Sequence, residues 1–174
     1  MRVNSTRKLD VSLLLLLAVA LTGCPYESST PVAESSRRPL DEGLVGTWHC
    51  IGTGDDDAVG LSFRRVTATE LEATAAGKNE DPEQYRLLGA KSGSVALVNV
   101  QAKKEGEAKP WSLVRLILLR PRVLEVEIAR EEPFQAAGAA STRDVIARSL
   151  KRGDLFDAFL VCARAADEAG EAAR

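Results

Sequence analysis

Between Val45 and Arg164 the dominant signal is an apolar residue at every second position, and this period limits the possible folds more than any other feature of the chain. Leu124, Val126 and Ile128 alternate with Glu125 and Glu127, the pattern of a strand with one dry face and one wet face. Clusters of Gly, Asp, Pro and Lys break the alternation at short intervals, so successive segments are predicted to reverse through hairpins. Eight strands are expected: near Val45 to Gly52, Val59 to Thr67, Glu70 to Ala76, Gln84 to Ala90, Val95 to Ala102, Trp111 to Arg120, Val123 to Glu131 and Phe156 to Arg164. Eight antiparallel strands in chain order favour an up-and-down barrel, because closure removes the unpaired edges an open sheet must protect. A β-sandwich or an open antiparallel sheet is the alternative. A barrel of this size is either filled by side chains or holds one small ligand.

The sixth segment departs from simple alternation. Val114, Leu116 and Leu118 lie on one face and Leu113, Ile117 and Leu119 on the other, so both faces need cover. A helix predicted from Thr142 to Arg152 supplies a candidate. Ser141 and Asp144 resemble a capping box, Gly153 supplies a stop, and Val145, Ile146, Ser149 and Leu150 form a narrow stripe able to lie on a sheet.

The first 23 residues have a different composition. Arg2, Arg7 and Lys8 precede an apolar run from Val11 to Leu21, and Leu21-Thr22-Gly23-Cys24 closes it with small residues before a cysteine. The run falls short of the roughly 20 apolar residues that a membrane-spanning helix needs. It reads as a lipoprotein signal peptide that is removed, with Cys24 taking the lipid. Each buried methylene contributes about 0.8 kcal/mol, so one acyl chain anchors marginally and several anchor durably. Removing Arg2, Arg7, Lys8 and Asp10 with residues 1–23 turns 23 basic against 25 acidic residues into 20 against 24, a formal charge of −4. That balance carries no nucleic-acid footprint. Pro25 to Gly43 is rich in Pro, Ser and charge, so residues 24–43 are expected to be a lipidated cysteine and a flexible tether reaching roughly 25 Å. The barrel domain is expected over 44–165, and 166–174 as a polar tail.

No arrangement of residues demands catalysis or a cofactor. His49 is the only histidine and should face away from Trp48, and the sequence places no nucleophile beside it, so a surface role is expected. One histidine and two cysteines fall short of a four-ligand zinc site, and Asp55-Asp56-Asp57 lacks the spacing of a calcium loop and suits a hairpin turn. Lys103-Lys104-Glu105-Gly106-Glu107 reads as another exposed turn. Phe63, Tyr85 and Trp111 are candidates to line a barrel cavity, with packed core as the alternative.

Gly46-Thr47-Trp48 at the start of the first strand resembles the opening of the lipocalin and calycin barrels. That resemblance implies that Trp48 plugs one end of the barrel and that Arg164, on the last strand, packs across its ring. First and last strands of a closed eight-strand barrel meet antiparallel, and opposed residues then share a constant sum of residue numbers. That sum is 212 for Trp48 with Arg164 and again for Cys50 with Cys162, so one register places both pairs on one face and brings the two cysteines within reach of a disulfide, with two buried free thiols as the alternative. More broadly, Cys24-Pro25-Tyr26-Glu27-Ser28-Ser29, Leu44-Val45-Gly46-Thr47-Trp48 and Asp154-Leu155-Phe156 resemble a group of bacterial envelope lipoproteins of no assigned activity. In lipocalins the helix follows the last strand, whereas here it precedes it.

The functional expectation is a non-enzymatic lipoprotein held to the periplasmic side of the outer membrane. Its acyl chains engage the membrane, and the domain binds a small apolar ligand or an envelope protein. A structural or assembly accessory without a ligand is the alternative. Aspartate after the lipidated cysteine commonly retains such proteins in the inner membrane, and Pro25 stands there instead.

Overall fold

Each of the eight alternating segments forms a strand in the computed structural model, which describes residues 24–166 apart from 33–35, 54–57, 79–80, 105, 107–108 and 139. The leader, Asp55 to Asp57 and residues 167–174 of the tail lie outside the described residues. A two-residue strand, β1 (Glu27–Ser28), precedes β2 (Gly46–Gly52), β3 (Ala58–Thr67), β4 (Glu70–Ala76), β5 (Glu83–Ser92), β6 (Val95–Ala102), β7 (Trp111–Arg120), β8 (Val123–Ala129) and β9 (Phe156–Arg164). A short helix α1 (Glu132–Gln135) and a longer one, α2 (Thr142–Arg152), connect β8 to β9. From β2 to β9 each strand pairs antiparallel with the next, and β9 also pairs with β2, which closes a lipocalin-like barrel.

Alternation sorts the side chains into two cores. Trp48, Cys50, Phe63, Leu71, Leu87, Val98, Val114, Leu124, Val126, Leu160 and Cys162 point inward and form the barrel core, which Leu40 and Leu44 join from below. Ala90, Leu97, Leu113 and Ala129 point outward and form a second core with Tyr26, Val32, Ile146 and Leu155. The need for cover on both faces of β7 is therefore met partly by α2. Ser141 Oγ accepts the Asp144 N–H at 3.2 Å, and Gly153, at φ 75°, donates to the Ser149 carbonyl at 2.9 Å, so both expected ends of α2 are capped.

The rest of the cover comes from the segment expected to be a tether, and that expectation is corrected. Tyr26, Val32 and Leu40 are each only 8% exposed. The Tyr26 N–H donates to the Ala129 carbonyl at 2.8 Å, and β1 pairs with Ser112 and Trp111 of β7. Buried Asn99 treats Val32 as a strand would: its Oδ1 accepts the Val32 N–H at 2.7 Å and its Nδ2 donates to the Val32 carbonyl at 3.1 Å. Farther along, Arg38 crosses directly over Gly89, where a Cβ would lie 2.2 Å from the Arg38 carbonyl oxygen, so only glycine permits the crossing. The segment is polar in composition, but its few apolar side chains fall where the barrel leaves outward apolar surface uncovered. Composition averages over that placement.

Candidate functional site

The two ends of the barrel are built differently. At the end where β2 begins, the 3-10 turn Glu42–Leu44 lies across the opening, its N-terminus capped by Asp41, whose carboxylate accepts the Gly43 N–H at 2.8 Å. Trp48 is fully buried beneath it and donates its indole N–H to the Leu44 carbonyl at 2.9 Å. Arg164 sits opposite Trp48 in register, with its guanidinium carbon 5.3 Å from the ring centroid. The same guanidinium donates to the carbonyls of Gly43, at 3.2 Å, and Val45. A Cβ on Gly46 would lie 2.9 Å from Arg164 Nη2, and the residue sits at φ 126°, so the glycine before the tryptophan gives the arginine its path. Cys50 and Cys162 form a disulfide one inward position farther up the same strand pair, with α-carbons 3.9 Å apart. On the chain-entropy account, closing a loop of sequence separation 112 stabilises the fold by about 4 to 5 kcal/mol.

Among the described residues the other end is open. A cavity of about 370 Å³ enters the barrel there, at the low end of the roughly 300 to 1,000 Å³ usual for small-molecule sites. Phe63, Leu87, Val100, Val114, Leu116 and Val126 line its depth, and Val59, Ala75, Gly77 and Phe159 stand nearer the rim. Tyr85 joins Phe63 in the wall. Trp111 does not, and its assignment is corrected: on β7 the inward positions are Ser112 and Val114, so Trp111 faces out, under β1 and with the Arg86 guanidinium 6.0 Å from its ring. The alternation was legible in the sequence, but the face of the sixth strand that turned inward was not, because both faces of that strand are apolar.

Asp81 and Glu83 are the charged residues among the described lining, which holds no lysine or arginine. The Tyr85 hydroxyl donates to Glu83 Oε2, and burial together with that carboxylate pushes the phenol up to about 12, so it stays neutral at physiological pH. The strand reading singled out none of the rim residues Asp81, Glu83, Ser112 and Phe159. Glu83 had a signal, because it shares alternation with Tyr85 and Leu87. A larger groove, about 660 Å³, lies outside the barrel beside Tyr26, Lys91 and Arg143. Its walls are richer in hydroxyl and charged groups, and the barrel cavity offers an apolar ligand more contact.

The remaining candidates lie apart from both ends. His49 is exposed on the outer wall, opposite Ala163 and Gly60. Lys103 and Arg64 pair with Glu72 on the outer surface, and the Lys103 hydrogen bond does most to hold that carboxyl below its ordinary range. Among the described residues no three His, Cys, Asp or Glu side chains are placed to hold a metal ion, and no helix is long and apolar enough to cross a membrane. Comparison with models of known families, with curated proteins and with solved structures finds no match.

Proposed function

We propose that the chain is a lipid-anchored envelope protein of the periplasmic side of the outer membrane, without enzymatic activity, that binds a small apolar molecule inside its barrel. The observation that carries this reading is the cavity: an apolar interior closed at one end by Trp48 and Leu44 and open at the other. Burial of ligand surface there gains roughly 25 cal/mol per Å², and a barrel holds its walls in place before the ligand arrives. The charge of the lining narrows the ligand. With Asp81 and Glu83 in the lining and no lysine or arginine among its described residues, the site favours a neutral or cationic apolar molecule over a carboxylate. A protein partner is the second reading, supported by the exposed, register-paired Ile51 and Val161 on the β2–β9 wall.

Titration with N-phenyl-1-naphthylamine, a neutral dye that brightens in apolar surroundings, tests the cavity. Ala75 lines the wall near the mouth, and Ala75→Phe should fill part of the space and weaken dye binding about tenfold, or 1.4 kcal/mol. Equal affinity of the native and Ala75→Phe proteins would remove the barrel interior as the binding site. A carboxylated analogue of the dye should bind more weakly than the neutral one.

A further inference from the structure

We infer that the anchored protein holds its cavity mouth against the bilayer surface, so that the apolar occupant passes between membrane and barrel without crossing bulk water. This rests on acylation of Cys24 as proposed above, and adds where that residue sits. Cys24 is docked. Its carbonyl accepts the Glu131 N–H at 3.1 Å, Pro25 bridges to Arg130, and the Tyr26 ring stacks on Phe134 with centroids 3.7 Å apart. Between the acylated residue and the domain there is thus no slack of the kind a free tether would give.

The docking point lies beside the end of β8 that borders the open end, and from there the chain rises through β1 to Ser28, opposite Trp111 at the start of β7. Ala129, which accepts the Tyr26 N–H, pairs with Phe156 where β8 ends and β9 begins. Ile128 lines the cavity, and Glu131, at the start of the short helix α1, follows it by three residues, at most about 10 Å of chain. Phe159, 49% exposed, stands at the same rim and belongs to the lining as well. The headgroup layer is only about 5 to 7 Å thick on each side of the hydrocarbon, so chains inserted from Cys24 bring this end of the barrel into it. At the opposite end, the turn between β5 and β6 stands off by about the barrel height, roughly 25 Å for ten residues tilted near 40°. Exposed apolar side chains do not decide the orientation, since Val66 and Leu119 lie toward the closed end as Ile51 and Phe159 lie toward the open one. The docked anchor does.

Fluorophores on introduced cysteines test the orientation in the acylated protein, reconstituted into vesicles of phosphatidylethanolamine and phosphatidylglycerol with a nitroxide on the lipid headgroups. With Cys24 acylated and Cys50 bridged to Cys162, an introduced cysteine is the one free thiol. Lys78→Cys places the label beside Gly77 at the mouth, and Ser94→Cys places it in the turn at the far end. Quenching at Lys78→Cys should exceed that at Ser94→Cys about threefold, given the thin headgroup layer. A flexible Gly-Ser stretch of about 12 residues inserted after Cys24 should erase the difference. Equal quenching at the two positions without the insertion, or stronger quenching at Ser94→Cys, overturns the orientation while leaving the anchor in place. An intact mass showing unmodified Cys24 overturns the anchor and the orientation together.

Discussion

The closed and open ends of the barrel use the same strands for opposite purposes. At the closed end hydrogen-bonding capacity is spent on the protein itself: the indole of Trp48 reaches Leu44, and Arg164 reaches two carbonyls. At the open end small or narrow side chains such as Ala75, Gly77 and Val59 leave space that no described residue fills. Packing at one end stabilises the ring, and incomplete packing at the other leaves a site. The contrast teaches that stability and binding are separable here, since the residues serving each lie at different heights on shared strands.

Breaking the closed end at the disulfide should have the largest effect. Replacing Cys50 and Cys162 together with Ala should lower the unfolding free energy by about 4 to 5 kcal/mol on the chain-entropy account, read from urea titration. The variant should still bind the neutral dye in the temperature range where it remains folded. Loss of binding in the folded variant would mean that the two ends are coupled. A smaller loss, about 2 to 4 kcal/mol, is expected for Arg164→Ala, which leaves the Gly43 and Val45 carbonyls without their charged donor and uncovers the Trp48 ring. Near-wild-type unfolding of Arg164→Ala would show that the arginine caps a surface already closed by Trp48.

The smallest effect belongs to the open end and appears only in alkali. Tyr85 titrates near 12 in the fold against 10.0 ordinarily, so the native state holds the phenolic proton more tightly than the unfolded chain does. Its contribution to stability is therefore complete below pH 10 and is lost as the pH climbs from 10 toward 12. Tyr85→Phe should flatten that part of the stability profile and leave the neutral range nearly unchanged. An unaltered alkaline profile in the variant would place the titration elsewhere.

Legibility follows the same division. The register joining Trp48 to Arg164 and Cys50 to Cys162 was readable because a closed antiparallel ring allows one pairing per slip, and two pairs agreed on it. The course of residues 24–32 and 36–43 over the barrel was not readable. Its contacts use Asn99, Gly89 and three scattered apolar residues, which leave no periodic trace. The same limit hid the rim of the cavity, where Asp81 and Phe159 converge from loops and strands distant in sequence.

Local and periodic features could be read from the residues alone: eight strands from alternation, both ends of α2 from Ser141 and Gly153, and a closed ring from strand order and paired residue numbers. Packing between distant segments settled which face of β7 turned inward, the course of residues 24–32 and 36–43 along the domain, and where the barrel opens. The physical reason is that alternation fixes where side chains lie relative to one another along a strand. Which surface they meet depends on volumes and hydrogen bonds supplied by segments tens of residues away, and those terms exist only once the chain has closed on itself.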